Sequence, residues 1–199
     1  MALKPKKPTA YAFIDSQNLN LGTQRMGWKL DWRKFRNYLR NSYGVTKAYM
    51  FIGYMSGNES LYEYMHELGF LVVLKPTLDI TAFAESGRDQ NTVRRGEETE
   101  KEKPLVKGNV DVELVLYALK EMTNYQKAII VSGDGDFFSL AEYLEEQGRL
   151  GYILAPNWQY SSLLKPFEKK IVRLDLLRKQ LAYQDRNRGK QKDTAQKTK

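Results

Sequence analysis

The chain has 199 residues, 42% of them hydrophobic, and carries 32 Lys or Arg against 24 Asp or Glu, a net charge of +8. That length suffices to bury most of the apolar surface in one domain. The absence of cysteine excludes disulfides and thiolate zinc sites, no apolar run approaches the roughly 18 residues of a membrane helix, and a single histidine, His66, excludes mechanisms that need two.

In chain order, AYAFID (Ala10–Asp15) reads as a short buried strand. LDWRKFRNYLRNSYG reads as a helix with Asp31 as its cap, an apolar stripe of Trp32, Phe35, Tyr38 and Leu39, and Gly44 at its end. VTKAYMFIGYM is rich in β-branched and aromatic residues and predicts a strand. NESLYEYMHELG predicts a helix opening at Asn58 or Ser60 and closing at Gly69, with His66 on its surface, and FLVVLKP predicts the next strand, stopped by Pro76. The polar stretch from Thr77 to Asn109 is long for a connection inside a compact domain and reads as a lid, a binding loop or a disordered segment, with LDITAF as one possible short strand. VDVELVLYALKEM predicts a helix with Val112, Val115, Leu116, Leu119 and Met122 on one apolar face. KAIIVSG is a strand, DFFSLAEYLEEQG a helix, RLGYILAP a strand, YSSLLKPF a short helical piece and KKIVRLD a last strand. Alternating strands and helices imply a parallel sheet with helices on both faces.

The charge sits at the ends. Lys4, Lys6 and Lys7 open the chain. Residues 178–199 hold eight Lys or Arg against Asp185 and Asp193, a net of +6, which leaves residues 8–177 at −1. The expected organisation is a basic arm over residues 1–8, one domain over 9–177, and a basic, disordered tail over 178–199. Basic arms on a near-neutral core suit a polyanion partner, and equally suit a tail that only solubilises. No signal peptide is expected, since no apolar stretch and cleavage site follow the basic start, and the lack of cysteine suits the cytoplasm.

The informative stretch is AIIVSGDGDFFSLAEYLEEQG, where a buried strand runs into Ser132-Gly-Asp134-Gly-Asp136. Ligands of open α/β sheets bind beyond the carboxyl ends of the strands, where strand order reverses. If the strands ending at Asp15 and Val131 are neighbours there, Asp15, Asp134 and Asp136 converge, and Asp111, which opens the helix after the long loop, reaches the same crevice, while helical geometry turns Glu113 away from Asp111. Two carboxylates about 5 Å apart repel by roughly 3 kcal/mol at an effective dielectric near 20. Such a cluster persists by binding protons or a hard cation with oxygen ligands. Singly, Asp111 and Asp136 serve equally well as helix caps, and Asp134 as turn chemistry. No GxxxxGK[ST] and no GxGxxG after a strand appear, so nucleoside-triphosphate and dinucleotide cradles are missing. Tyr160, near Trp158 beyond a strand end, is a candidate for stacking a base. Arg94 and Arg95 in the long loop are candidate phosphate contacts.

FIDSQNLN, KGNVDVELVLYAL, AIIVSGDGDFFSLAEYLEEQG and the closing KIVRLDLLRKQL together resemble the NYN domains of the LabA-like, PIN-like group, over about Tyr11 to Leu181. The resemblance implies a PIN-like α/β three-layer sandwich around a mainly parallel sheet, and an Mg²⁺- or Mn²⁺-dependent ribonuclease. Carried over motif by motif, it gives Asp15, Asn18, Asp111, Asp134 and Asp136 as catalytic residues, with the four aspartates holding metal. Ser132 would orient the loop or bind ligand, and Lys107 would meet phosphate. Two departures stand out: Ser16-Gln17-Asn18 replaces the usual glycine-containing run, and Tyr117 stands where many relatives carry a further acid. The expected partner is RNA, with no membrane. Rival readings are an RNA-binding module without catalysis, which Tyr117 favours, and a small-molecule phosphohydrolase, disfavoured because Gln17 breaks the aspartate-x-aspartate pattern.

Overall fold

A computed structural model describes residues 9–75, 78–79, 106–107 and 110–184, the two short central segments as backbone only. Arg94 and Arg95 lie outside the described residues.

Six strands form one parallel sheet: β1 (Ala10–Asp15), β2 (Val45–Gly53), β3 (Leu71–Lys75), β6 (Lys127–Val131), β7 (Leu150–Ala155) and β8 (Ile171–Arg173), in the order β3-β2-β1-β6-β7-β8. Two further short strands, β4 (Leu78–Asp79) and β5 (Val106–Lys107), pair antiparallel with each other. This is the expected α/β three-layer arrangement. Burial on both faces explains why the central strands are continuously apolar rather than alternating. In β1, Ala10, Ala12 and Ile14 enter one core and Tyr11 and Phe13 the other.

The first core is closed by α1 (Ser16–Arg25) through Leu19, α2 (Trp32–Tyr43) through Phe35 and Leu39, α3 (Glu59–Glu67) through Met65, and α6 (Arg178–Leu181) through Leu181. The second is closed by α4 (Asp111–Lys120) through Leu114 and Ala118, and by α5 (Phe138–Glu146) through Leu140, Ala141 and Leu144. Helix α2 starts and stops as its sequence implies. Asp31 accepts from the Lys34 amide at 3.0 Å, and Gly44 takes the left-handed conformation at φ 70° that ends a helix at low steric cost.

The structure adds one helix to the sequence expectations and corrects two of them. Helix α1 was not foreseen: its Asn, Gln, Gly and Thr residues are weak helix formers, and it buries only Leu19, Gly22 and Thr23. Helix α4 turns a different face inward, since Leu114 and Ala118 are buried while Val112 is 63% exposed and Leu116 and Leu119 are also exposed. The helix is apolar on most of its surface, so periodicity alone left its orientation ambiguous. The tail also begins later than residue 177. Leu181 is fully buried, its carbonyl accepts from the Asp31 amide at 2.9 Å, and Ala182 bridges Leu30.

Candidate active site

The connections β1–β2–β3 step one way across the sheet and β6–β7–β8 step the other, so strand order reverses between β1 and β6. These two strands are direct neighbours, with Ile14 opposite Val131. The segments leaving them diverge and open a crevice at the carboxyl edge.

Asp15 is the last residue of β1 and the cap of α1. Its Oδ1 accepts from the Asn18 amide at 3.0 Å, and its Oδ2 accepts from Ser132 Oγ at 3.2 Å. Asn18 Oδ1 accepts from the Gly133 amide at 2.9 Å, Ser132 Oγ accepts from the Asp134 amide at 3.1 Å, and Asp134 Oδ1 accepts from the Asp136 amide at 3.1 Å. The first helix and the loop after β6 are thus tied by one hydrogen-bonded chain. Asp15 is only 5% exposed, and that burial pushes its carboxyl above the ordinary aspartate range. The bonds from Asn18 and Ser132 pull it back, and the neighbouring charge of Asp134 pushes it up.

A cavity of about 250 Å³ opens beside this network. The carboxylates of Asp15, Asp111 and Asp134 line it together with Gln17, Asn18, Leu21 and Val110; no lysine or arginine does so among the described residues. Asp111 is not there as a cap, because Val110 occupies the cap position of α4. Glu113, two residues on, points elsewhere and pairs with Lys75 at 2.8 Å. Asp136 is exposed and does not line the cavity; the structure brings together three of the four predicted aspartates there. Among the described residues, no three His, Cys, Asp or Glu side chains are gathered closely enough to form a ready-made metal shell.

Ser132 is buried and bonds within the protein, so it positions Asp15 and Asp134. Lys107 falls in β5, and its side chain lies outside the described residues. Tyr117 packs against Tyr49 and Phe51, with ring centroids 5.5 and 5.6 Å away, and does not line the cavity. His66 is exposed on α3.

The glycines of the loop are set by close approach. A Cβ at Gly135 would lie 2.4 Å from Ser161 Oγ and 2.9 Å from Leu163 Cδ1, and one at Gly133 would lie 3.2 Å from Tyr160 Cβ. Neither has a positive φ. The segment after β7 therefore rests directly on the aspartate loop, and the Ser161 amide donates to Gly133 O at 2.8 Å.

Two cavities adjoin the acidic one. A 440 Å³ cavity shares Gln17 and Leu21 with it and is largely apolar, with Trp32, Met50, Ile52 and Tyr62 in its wall. A 120 Å³ cavity shares Asn18 and Leu21 with it and adds Arg25 and Tyr160. Sequence reading missed Leu21 and Arg25 because it missed α1. The four-residue spacing of Leu21 and Arg25, which puts them on one helix face, was the available signal.

Residues 9–170 match the NYN domain family. The low amplitude and bright protein LabA of Synechococcus elongatus is 28% identical over 149 residues, which cover 72% of this chain and 70% of that protein. A crystal structure of a protein of unknown function from Vibrio parahaemolyticus superposes with a TM-score of 0.64 at 20% identity, covering 87% of this chain and 97% of the other. That likeness shows the fold. Among the described residues, no helix is long and apolar enough to cross a membrane.

Proposed function

The chain belongs to the NYN domain family, which is related to the PIN-like nucleases, and on that premise we propose that it is a ribonuclease dependent on Mg²⁺ or Mn²⁺. The observation that carries the reading is that three carboxylates from three separate segments, Asp15, Asp111 and Asp134, line one cavity with no lysine or arginine among its described walls. Burial of one of them raises the cost of leaving them uncompensated.

The donor set is all hard oxygen, which fits a hydrated divalent ion held by a few carboxylates rather than a closed protein cage. When bound, the ion supplies Lewis-acid stabilisation of a phosphodiester and activation of water. The chain's own residues do the rest. Asp15, Asp111 and Asp134 supply negative charge. Ser132 and the Asn18 amide hold Asp15 in its orientation, and burial inclines its carboxyl toward carrying a proton when no cation opposes it. Asn18 commits its oxygen to Gly133 and turns its amide nitrogen to the role of donor toward a phosphate oxygen or a water. Asp136, exposed and outside the cavity lining, acts on ions or water before they enter it. No serine–histidine pair is available for a covalent route, so water attacks directly.

RNA is the proposed substrate, the cytoplasm the proposed location, and the basic ends, together with Lys107, Arg94 and Arg95, the proposed phosphate contacts. Cleavage of a labelled single-stranded RNA in Mg²⁺ or Mn²⁺, abolished by EDTA and by Asp134→Asn, is the expected result. A second reading, RNA binding without cleavage, draws on Tyr117, which packs into the core where relatives often have an acid. RNA retained uncleaved by the wild type in both metals would select it.

A further inference from the structure

Beyond the acidic cavity lies a smaller one whose chemistry differs. It has a volume of about 120 Å³, and Asn18 and Leu21 line both, so the two are continuous across one face of α1. Its wall includes Arg25, the single cationic side chain lining the acidic cavity or either of its two neighbours among the described residues. Arg25 is exposed and has no ion-pair partner among those residues. Tyr160, half-buried, lines the same cavity from the segment that rests on Gly133.

The backbone segments that carry both groups are packed against each other. Gly22 lies one turn before Arg25, and a Cβ there would fall 2.5 Å from Pro156 Cβ. The Gly22 carbonyl accepts from the buried Asn157 Nδ2 at 2.9 Å, and Asn157 Oδ1 accepts from the Gln159 amide at 2.7 Å. The same asparagine therefore pins the helix carrying Arg25 to the loop carrying Tyr160. A cation and an aromatic ring lining one cavity, one step along from a carboxylate cavity, match a nucleotide: a phosphate for the guanidinium and a base for the ring.

We propose that this cavity is the subsite for the nucleotide next to the scissile phosphate, with Arg25 pairing with its phosphate and Tyr160 stacking on its base, and that the substrate there is an unpaired strand. This rests on the ribonuclease reading. An acidic cavity repels a polyanion, so a neighbouring cation is what brings the chain into register. A base inside a duplex does not present its face to a tyrosine, so only an unpaired nucleotide uses both groups. The subsite selects single strands with little base preference, because every base has a π-face.

The test is binding of a short single-stranded RNA and of a blunt RNA duplex in EDTA, by fluorescence anisotropy across several salt concentrations, followed by cleavage kinetics in Mn²⁺. Arg25→Gln is expected to weaken single-strand binding about tenfold and to flatten the slope of log affinity against log salt by about 0.7, one phosphate's worth. Arg25→Lys should keep the slope. Tyr160→Leu should weaken binding about tenfold with no change in slope, and Tyr160→Phe should restore it. KM should rise in both weakened variants with kcat held, and duplex binding should be unaffected. A merely structural role for Arg25 would leave the slope unchanged. Wild-type binding or cleavage of RNA that is indifferent to both substitutions overturns the subsite and leaves the ribonuclease reading standing. Failure of the wild type to bind or cleave any RNA overturns both.

Discussion

Ser132 Oγ donates to Asp15 Oδ2 at 3.2 Å, joining residues 117 apart in sequence across the seam where the sheet reverses its order. The same hydroxyl accepts from the Asp134 amide at 3.1 Å, so one buried side chain sets the position of two of the three cavity carboxylates.

Ser132→Ala should therefore cost about 1–3 kcal/mol in denaturant unfolding, because a buried amide and a buried carboxylate each lose a partner. The bond stabilises the charged form of Asp15, so its loss raises that carboxyl further. The acid limb of the pH–rate profile should move to higher pH in the variant. An unmoved limb together with wild-type stability would mean the hydroxyl is idle.

Asp15→Asn should abolish cleavage, by about a hundredfold or more given that even residues behind metal ligands cost 10–100-fold. It should also raise the melting temperature of the metal-free protein at neutral pH. Burial raises the Asp15 carboxyl in the folded state, so the fold holds a proton that the unfolded chain releases at lower pH. Stability is then lost as pH rises from the ordinary aspartate value through the folded value. The variant escapes that loss, so its advantage should grow with pH across this window and then level off. Calorimetry of both proteins from acid to neutral pH reads it directly.

Gly135→Ala should destabilise by about 1–3 kcal/mol, since the new methyl meets Ser161 Oγ at 2.4 Å and Leu163 Cδ1 at 2.9 Å. Adding Ser161→Ala removes the nearest obstacle and should recover part of the loss. A double-mutant cycle in urea with no coupling between the two positions would contradict the close approach.

The sheet was largely legible, because apolar runs bounded by glycine, proline and aspartate marked β1, β6 and β7 with little ambiguity. Ala10–Asp15 is the clearest case. The convergence of Asp15 and Asp134 followed from topology, once β1 and β6 were taken as neighbours. What lay beyond reach was anything decided by packing. Helix α1 carries Asn18, Leu21 and Arg25 yet has no apolar stripe, since Gly22 and Thr23 supply much of its buried face by being small. In α4, the choice of Leu114 and Ala118 over Val112 and Leu116 depends on what the sheet presents to it. Leu181 reads as part of a basic tail until the first core is seen to need it.

Truncation after Gln184 removes six Lys or Arg but spares the Leu181 anchor. It should leave the melting temperature unchanged and flatten the salt dependence of single-strand binding by up to about 4 units, if each cation meets one phosphate. Truncation after Leu177 should instead cost about 2–3 kcal/mol of stability, because a buried leucine is lost. Identical salt slopes for the full-length and the 184-residue chains would mean that the terminal charges do not engage RNA.

The central claim is that Asp15, Asp111 and Asp134 together hold a divalent ion, and a crystal grown with saturating Mn²⁺ tests it most directly. The expected result is an anomalous-scattering peak inside the 250 Å³ cavity, bonded to at least one of these carboxylates directly and to the others directly or through water, and absent from Asp15→Asn crystals. A well-ordered cavity with no peak, or a peak that persists unchanged in Asp15→Asn, would contradict the account.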